Sequence, residues 1–255
     1  MLLPILVLLV CFSGGTLFNL LVVAVAGMAL HEFYRMTLPE NRRPEALLAT
    51  LLGTLFAVAL CWQAAEMPLL ALSGAFLTLA LVFLLRHQEI AVVAGQLGCV
   101  SLGLLYIPLP LSYLARLHAL DDGKAWVFLV LAIVMLGDSA AYFVGRACGR
   151  HKLYESVSPN KTIEGALGGL AGSLAGALLF AWLFLPHLTV LSVIGVTLLV
   201  GVVAQLGDLF ESLLKRGCGV KDSGTMIPGH GGLLDRLDSL LFAFPVAFYL
   251  ALVIG

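Results

Sequence analysis

The longest stretch of this chain without a charged side chain, residues 165–207, runs for 43 positions. A membrane-crossing helix needs about 20 mostly apolar residues. The run is therefore read as two helices, with Pro186-His187 as the turn between them. Further uncharged runs cover 1–30, 46–65, 67–85, 90–115 and 239–255. Cutting the first at Ser13-Gly14-Gly15 leaves a short apolar segment over 2–13, which contains Pro4, and a full span over 16–35. The remaining spans are predicted at 46–63, 67–86, 90–107, 124–146, 164–185, 188–209 and 238–254. The strict alternation of barrel strands is absent, so these segments are helices. The expectation is an all-α polytopic integral membrane protein with about nine transmembrane helices, or eight if the first is re-entrant. No Lys or Arg precedes Arg35, so 2–13 is read as a short or re-entrant helix rather than a cleaved signal.

Composition agrees. The chain is 61% apolar and only 11% charged, against roughly 25% charged residues in an ordinary soluble domain. With a mean hydropathy of +1.05, too little polar surface remains to cover a soluble core. The net charge of −1 leaves no basic field for a polyanion, which argues against nucleic acid as a partner. The five cysteines, Cys11, Cys61, Cys99, Cys148 and Cys218, have no paired spacing. Cys148-x-x-His151 resembles half a metal site, and nothing completes it.

The loops set the expected orientation. Those at 35–45, 86–90, 146–163 and 210–237 hold all the Lys and Arg residues except Arg116 and Lys124. This asymmetry predicts that the four loops are cytoplasmic and the C-terminus outside. Trp62, Trp126 and Trp182 lie near span ends, as interface anchors do. Gly168, Gly172 and Gly176 form a row that lets helices approach closely, within one chain or between two. His31, Glu32 and Arg35, at an inner helix end, could line lipid access or act as snorkelling anchors.

The acidic residues carry more information than the basic ones. Segments 138–164 and 208–238 together hold 16 of the 29 charged side chains. A positive-inside role explains lysine and arginine there, but not carboxylates at the ends of membrane spans. Asp138 follows 13 uncharged residues and Asp208 follows 43. On a helix, Asp208, Glu211/Ser212 and Lys215 share one face. Beyond them come Lys221-Asp222-Ser223-Gly224 and the glycine-rich Pro228-Gly229-His230-Gly231-Gly232, whose backbone can cradle phosphate oxygens. Asp235-Arg236-Leu237-Asp238 then opens the last span. Oxygen ligands on separate helices suit Mg²⁺, which keeps waters and bridges substrate phosphates. Basic side chains neutralise a transferring phosphoryl or nucleotidyl group. The combination points to Mg²⁺-dependent phosphate transfer at the cytoplasmic face of a membrane.

In the run from Ser212 to Asp238, Lys215-Arg216, Lys221-Asp222-x-Gly224, Ile227-Pro228-x-His230-Gly231-Gly232 and Asp235-Arg236-x-Asp238 resemble, without departure, the signature of phosphatidate cytidylyltransferases (CDP-diacylglycerol synthases). Gly137-Asp138-Ser139, Tyr142, Gly145-Arg146, His151-Lys152-Leu153, Ser158-Pro159-x-Lys161-Thr162 and Glu164-Gly165 are also similar to that family. The resemblance is specific over about 137–245; upstream it is mainly hydropathy, plus Glu32. It divides the chain into N-terminal helices over 1–110 and a catalytic region over 111–255. It implies synthesis of CDP-diacylglycerol from CTP and phosphatidic acid, with release of pyrophosphate. It further implies Asp208 and Asp235 as main metal ligands with Asp238 nearby, K⁺ beside Mg²⁺, a homodimer formed through membrane helices, and a bacterial inner membrane.

The residues themselves suggest roles. Lys215, Arg216, Lys221 and Arg236 would counter the charge of CTP, pyrophosphate or the lipid headgroup. His230 could hydrogen-bond a phosphate or cap a turn. A phosphate monoester is already ionised and nucleophilic, so Asp222 is read as an organiser of Lys or Arg rather than a base. Ser158, Pro159, Lys161, Thr162, Asp138, Gly231 and Gly232 are the candidate substrate contacts, and Thr162 could equally N-cap the next helix. Two other readings remain open: a CTP-dependent lipid or isoprenoid kinase, and a transporter using intramembrane carboxylates. The clustering of charge at one face, in one half of the chain, counts against the transporter.

Overall fold

The computed structural model describes residues 14–62, 66–86, 89–226 and 231–254. The predicted segment 2–13 and His230 lie outside these residues. Nine α-helices are described: α1 (Gly15–Thr37), α2 (Arg43–Trp62), α3 (Met67–Leu85), α4 (Ile90–Tyr106), α5 (Pro108–His118), α6 (Gly123–Cys148), α7 (Ile163–Phe184), α8 (Val190–Gly217) and α9 (Asp238–Ile254). Short 3₁₀ turns precede α2 (Glu40–Arg42) and α9 (Leu234–Arg236). Seven helical stretches among the described residues are long and apolar enough to cross a membrane: Gly15–Thr37, Glu40–Trp62, Met67–Leu85, Ile90–His118, Gly123–Cys148, Ile163–Phe184 and Val190–Gly217. The apolar α9 is shorter, at 17 residues. The seven long stretches and α9 occupy the eight spans expected after residue 13, and the remaining expected segment, 2–13, lies outside the described residues.

Three expectations change. The fifth span was expected over 90–107, but helix resumes at Pro108 and runs to His118, because proline at a first helical position loses no internal hydrogen bond. The seventh long helix was expected to end near residue 209, yet α8 continues to Gly217. A helix passes through charged positions without penalty when its charges find partners, as the Glu211–Lys215 pair does one turn apart at 3.2 Å. The loop expected over 146–163 contains an antiparallel hairpin, β1 (Lys152–Tyr154) and β2 (Ser158–Thr162), with Lys152 opposite Thr162 and Tyr154 opposite Ser158.

The chain divides into two compact units, residues 1–115 with 222–235, and residues 116–221 with 236–255. In the first, α1 buries Val22, Val23, Ala26, Ala29, Leu30, Phe33 and Tyr34, the i, i+3, i+4 stripe of a helix packed on one face. Tyr34 donates its hydroxyl proton to the Val100 carbonyl of α4 at 2.9 Å. A buried Arg42–Glu45 pair at 3.0 Å joins the start of α2 to the end of α3, where Arg42 also donates to the Arg86 carbonyl at 2.8 Å and lies over the Phe83 ring. Opposite faces stay apolar and open: Leu69, Leu77, Leu84 and Leu85 of α3 are all exposed. Buried polar groups beneath exposed leucine are the pattern expected of a bundle surrounded by lipid.

In the second unit, α7 buries a residue every four positions, Gly165, Gly169, Ser173, Ala177 and Ala181, all small. The Ser173 hydroxyl donates to the Ile133 carbonyl of α6 at 2.6 Å. The neighbouring row answers the question left open by its sequence: a Cβ at Gly168, Gly172 or Gly176 would run into Val144, Ala140 or Leu136 of α6. The row packs within the chain. Of the tryptophans, Trp62 and Trp182 are exposed near helix ends, whereas Trp126 is buried among core residues of α6 and is no interface anchor.

Candidate active site

In the second unit, charged side chains from four elements converge. Asp208 lies nine residues before the end of α8, inside the helix rather than at its end. Gly207 beside it lets α9 come close, since a Cβ there would strike the Asp238 carbonyl oxygen, 2.6 Å away, and the Phe242 ring. The Phe210 and Phe242 rings pack edge-to-face at 5.6 Å just beyond. Asp238 therefore opens α9 against the helix that carries Asp208, and its carboxylate accepts from the backbone N–H of Ser239 at 2.7 Å. Asp208 is close enough to Asp238 and to Asp138 of α6 for the three carboxyls to interact electrostatically.

The hairpin supplies the cation. Lys161 on β2 reaches Asp208 Oδ2 with its Nζ at 2.6 Å, both side chains a little under a third exposed. Its neighbour Thr162 is the N-cap of α7, its hydroxyl accepting from the Gly165 N–H at 3.1 Å. Thr162 therefore performs the structural role weighed for it. Pro159 presents its carbonyl to Lys152 Nζ at 2.5 Å, and Ser158 closes the hairpin ladder opposite Tyr154. Glu164 accepts from the Arg150 and His151 N–H groups and pairs with His151 Nδ1 at 2.6 Å. His151 is thereby engaged by a carboxylate, not by Cys148. Arg216 donates Nε to the Val157 carbonyl and Nη1 to the Val220 carbonyl, at 3.4 and 3.1 Å, so it ties α8 to the hairpin tip. Lys215 is committed to the fully buried Glu211. Lys221 and Arg236 are exposed.

In the first unit, Asp235 closes a compact loop. Its Oδ2 accepts from the backbone N–H groups of Gly232 at 2.8 Å and Ser223 at 3.0 Å. Gly231 has a φ of +79°, and a Cβ there would meet Asp235 Oδ2 at 2.9 Å. Asp222 is exposed beside this turn. The buried carboxylate of Glu32 on α1 accepts from the Leu233 N–H at 2.7 Å, the Leu234 N–H at 3.1 Å and the Ser223 hydroxyl at 3.1 Å. Glu32 therefore lines no lipid access route, whereas His31 and Arg35 do line a surface cleft with Pro39, Glu40 and Arg43.

Two residues noted in the sequence but given no place in the site stand out, Glu211 and Glu32. Glu211 could have been inferred from its i, i+4 spacing to Lys215. Glu32 was signalled by its isolated position near the end of an apolar span and by the family resemblance, neither of which points to the loop it binds. Among the described residues, no three His, Cys, Asp or Glu side chains form a ready-made metal cluster. Mg²⁺ does not require one, because one or two carboxylates, waters and substrate phosphates satisfy it. Four carboxyls (Asp138, Asp208, Glu211 and Asp238) against two lysines (Lys161 and Lys215) form an oxygen-only donor set that fits such a cation.

Comparison with known proteins agrees with this chemistry. The profile of the family described as "Cytidylyltransferase family" matches residues 1–254. The phosphatidate cytidylyltransferase of Bacillus subtilis (strain 168) is 35% identical over 245 residues, covering 93% of this chain and 89% of the relative. That of Staphylococcus epidermidis (strain ATCC 12228 / FDA PCI 1200) is 32% identical over 246 residues, covering 93% and 90%. That of Staphylococcus aureus (strain COL) is 44% identical over 126 residues, covering 49% and 48%. With a family match across nearly the whole chain and relatives aligned almost end to end, the chain belongs to the cytidylyltransferase family.

Proposed function

We propose that this protein is a CTP:phosphatidate cytidylyltransferase. A phosphate oxygen of phosphatidic acid attacks the α-phosphorus of CTP, the bond from that phosphorus to the bridging oxygen breaks, and pyrophosphate leaves with CDP-diacylglycerol as the lipid product. Family membership and relatives of that name over 93% of the chain support the reading. The single observation that carries it is the Lys161–Asp208 pair, set among the acidic groups Asp138, Glu211 and Asp238. A cation and carboxylates held together at one end of apolar helices are what a phosphate-rich nucleotide and a membrane lipid would both need.

In this proposal Lys161 exchanges its carboxylate partner for nucleotide phosphate oxygens, since a strongly charged phosphate competes well for an ammonium in a partly exposed pair. Asp138 orients Lys161. Lys215, Arg216, Lys221 and Arg236 offset the charge of CTP, pyrophosphate and the headgroup. Ser158, Pro159 and Thr162 hold the hairpin that presents Lys161, while Asp222, Gly231 and Gly232 are assigned to phosphate binding by the motif, as is His230, which lies outside the described residues. The lipid phosphate is itself the nucleophile, so no side chain need act as general base. On the motif, Asp208, Asp235 and Asp238 are the Mg²⁺ ligands, and Mg²⁺ when bound neutralises nucleotide phosphate charge and polarises the phosphorus.

The proposal includes K⁺ as a second cation and a catalytic region within 111–255. It also includes a homodimer in a bacterial inner membrane, with catalytic loops cytoplasmic and the C-terminus outside. The bias of Lys and Arg among the loops supports that orientation. The test is to incubate the purified protein with phosphatidic acid, Mg²⁺ and CTP labelled at the α or the γ position. Label from the α position appears in lipid if the reading is correct. Label from the γ position in lipid, with CDP released, would instead identify a kinase and overturn it.

A further inference from the structure

Glu32 is 4% exposed, five residues before the end of an apolar helix. A carboxylate taken out of water is costly unless hydrogen bonds replace its hydration. All three of its partners come from one distant stretch, the Ser223 hydroxyl and the Leu233 and Leu234 N–H groups, 191 to 202 positions along the chain. The same stretch ends in Asp235. The Asp235 N–H donates to Ser223 Oγ at 3.3 Å, and Asp235 Oδ2 accepts the Ser223 and Gly232 N–H groups. Ser223 thus joins the two carboxylates: its hydroxyl donates to Glu32 and accepts from the backbone of Asp235, and its own N–H holds the Asp235 side chain.

The glycines of the loop obey the same constraint. A Cβ built at Gly224 or Gly232 would collide with the Glu32 carboxylate, and at Gly232 also with Ser223 Oγ. Their backbones lie where a side chain would displace that carboxylate. These two glycines belong to the motif that resembles the catalytic signature, and their requirement here comes from a residue outside it, on α1. A loop merely covering the end of a helix would not need two glycines and three donors directed at one buried carboxylate.

We propose that Glu32 is a positioning residue for Asp235: it fixes Ser223, Leu233 and Leu234, and so sets where the Asp235 carboxylate is held. It touches no reacting atom. The inference rests on the proposed function only in naming Asp235 as a catalytic-site group.

Hydrogen–deuterium exchange of the full-length protein in detergent, read together with steady-state kinetics, tests it. Glu32→Ala removes all three acceptor contacts, and backbone amides over 231–235 exchange at least about tenfold faster, as expected for the loss of charge-assisted hydrogen bonds. Glu32→Gln conserves the shape. Its amide oxygen can accept both N–H groups while its NH₂ donates to a turned Ser223 hydroxyl, so exchange stays within about twofold. Ser223→Ala opens the same amides and adds little when combined with Glu32→Ala. In turnover, Glu32→Ala lowers kcat about 10²-fold with KM for CTP and lipid within about threefold, and Glu32→Gln restores most of it. Wild-type exchange over 231–235 in Glu32→Ala, or a Glu32→Gln variant as impaired as the alanine, would overturn the proposal. If Glu32→Ala fails to fold, Ser223→Ala decides by the same amides, and unchanged exchange there is equally fatal. The exchange result stands without catalysis, so an inactive wild type would refute the proposed function and leave this inference to be judged by its own measurement.

Discussion

At the scale of single residues, Lys161 and Asp208 make the sharpest case. Their 2.6 Å contact joins side chains nearly a third exposed, so its contribution to stability is about 1 kcal/mol or less. Its value is electrostatic placement for a ligand. Lys161→Met should therefore leave the thermal unfolding midpoint within about 2 °C of wild type while lowering kcat/KM for CTP by about 10²–10³-fold. A variant with a strongly lowered midpoint and proportionate activity loss would mark the lysine as structural. Asp208, Lys161, Asp138 and Asp238 could be singled out from spacing and motif alone, because charge in so apolar a chain is conspicuous. For Arg216 the sequence suggested only a charge facing phosphate; the structure adds two donors spent on the Val157 and Val220 carbonyls. Nothing local in a sequence separates an arginine that binds substrate from one that binds backbone.

At the scale of elements, hydropathy placed α1, α2, α3, α6 and α7 within about three residues of their limits, because burying backbone polar groups in lipid leaves a long helix as the only solution. It failed where charges intervene. The final turns of α8 carry Glu211, Lys215 and Arg216 and read as loop, yet they are helical because those groups are partnered. The hairpin over 152–162 escaped for a different reason: three- and five-residue strands of mixed polarity are too short to display a period of two. Gly207 is the element-scale feature most open to test. Replacing it with leucine places a side chain against the Asp238 carbonyl and the Phe242 ring. Gly207→Leu should thus separate α8 from α9 and reduce activity at least about tenfold, whereas Gly195→Leu, at an open position, should leave activity within about twofold.

At the scale of the whole molecule, the prediction concerns sidedness. Cys148 ends α6 and is exposed beside the hairpin that carries Lys161. In a variant keeping Cys148 as its sole cysteine, a membrane-impermeant maleimide should label inside-out vesicles and spare right-side-out ones. Labelling of right-side-out vesicles would reverse the proposed orientation. The bias of Lys and Arg is the sequence signal behind the proposed orientation, whereas the hydrogen bonds of Ser223, Leu233 and Leu234 to Glu32 had none, since no periodic or local signal links positions about 200 residues apart.

That separation also has a meaning in time. A ribosome adds about 5–20 residues per second, so the 191 positions between Glu32 and Ser223 correspond to roughly 10–40 s of synthesis. Throughout that interval α1 is in the nascent chain and its carboxylate has none of its three eventual donors. Near the end of the helix it can keep water for company; at mid-membrane it would stall insertion. An early helix thus carries a socket that only residues made much later can fill, and the loop cannot close on Glu32 before Leu234 has been synthesised.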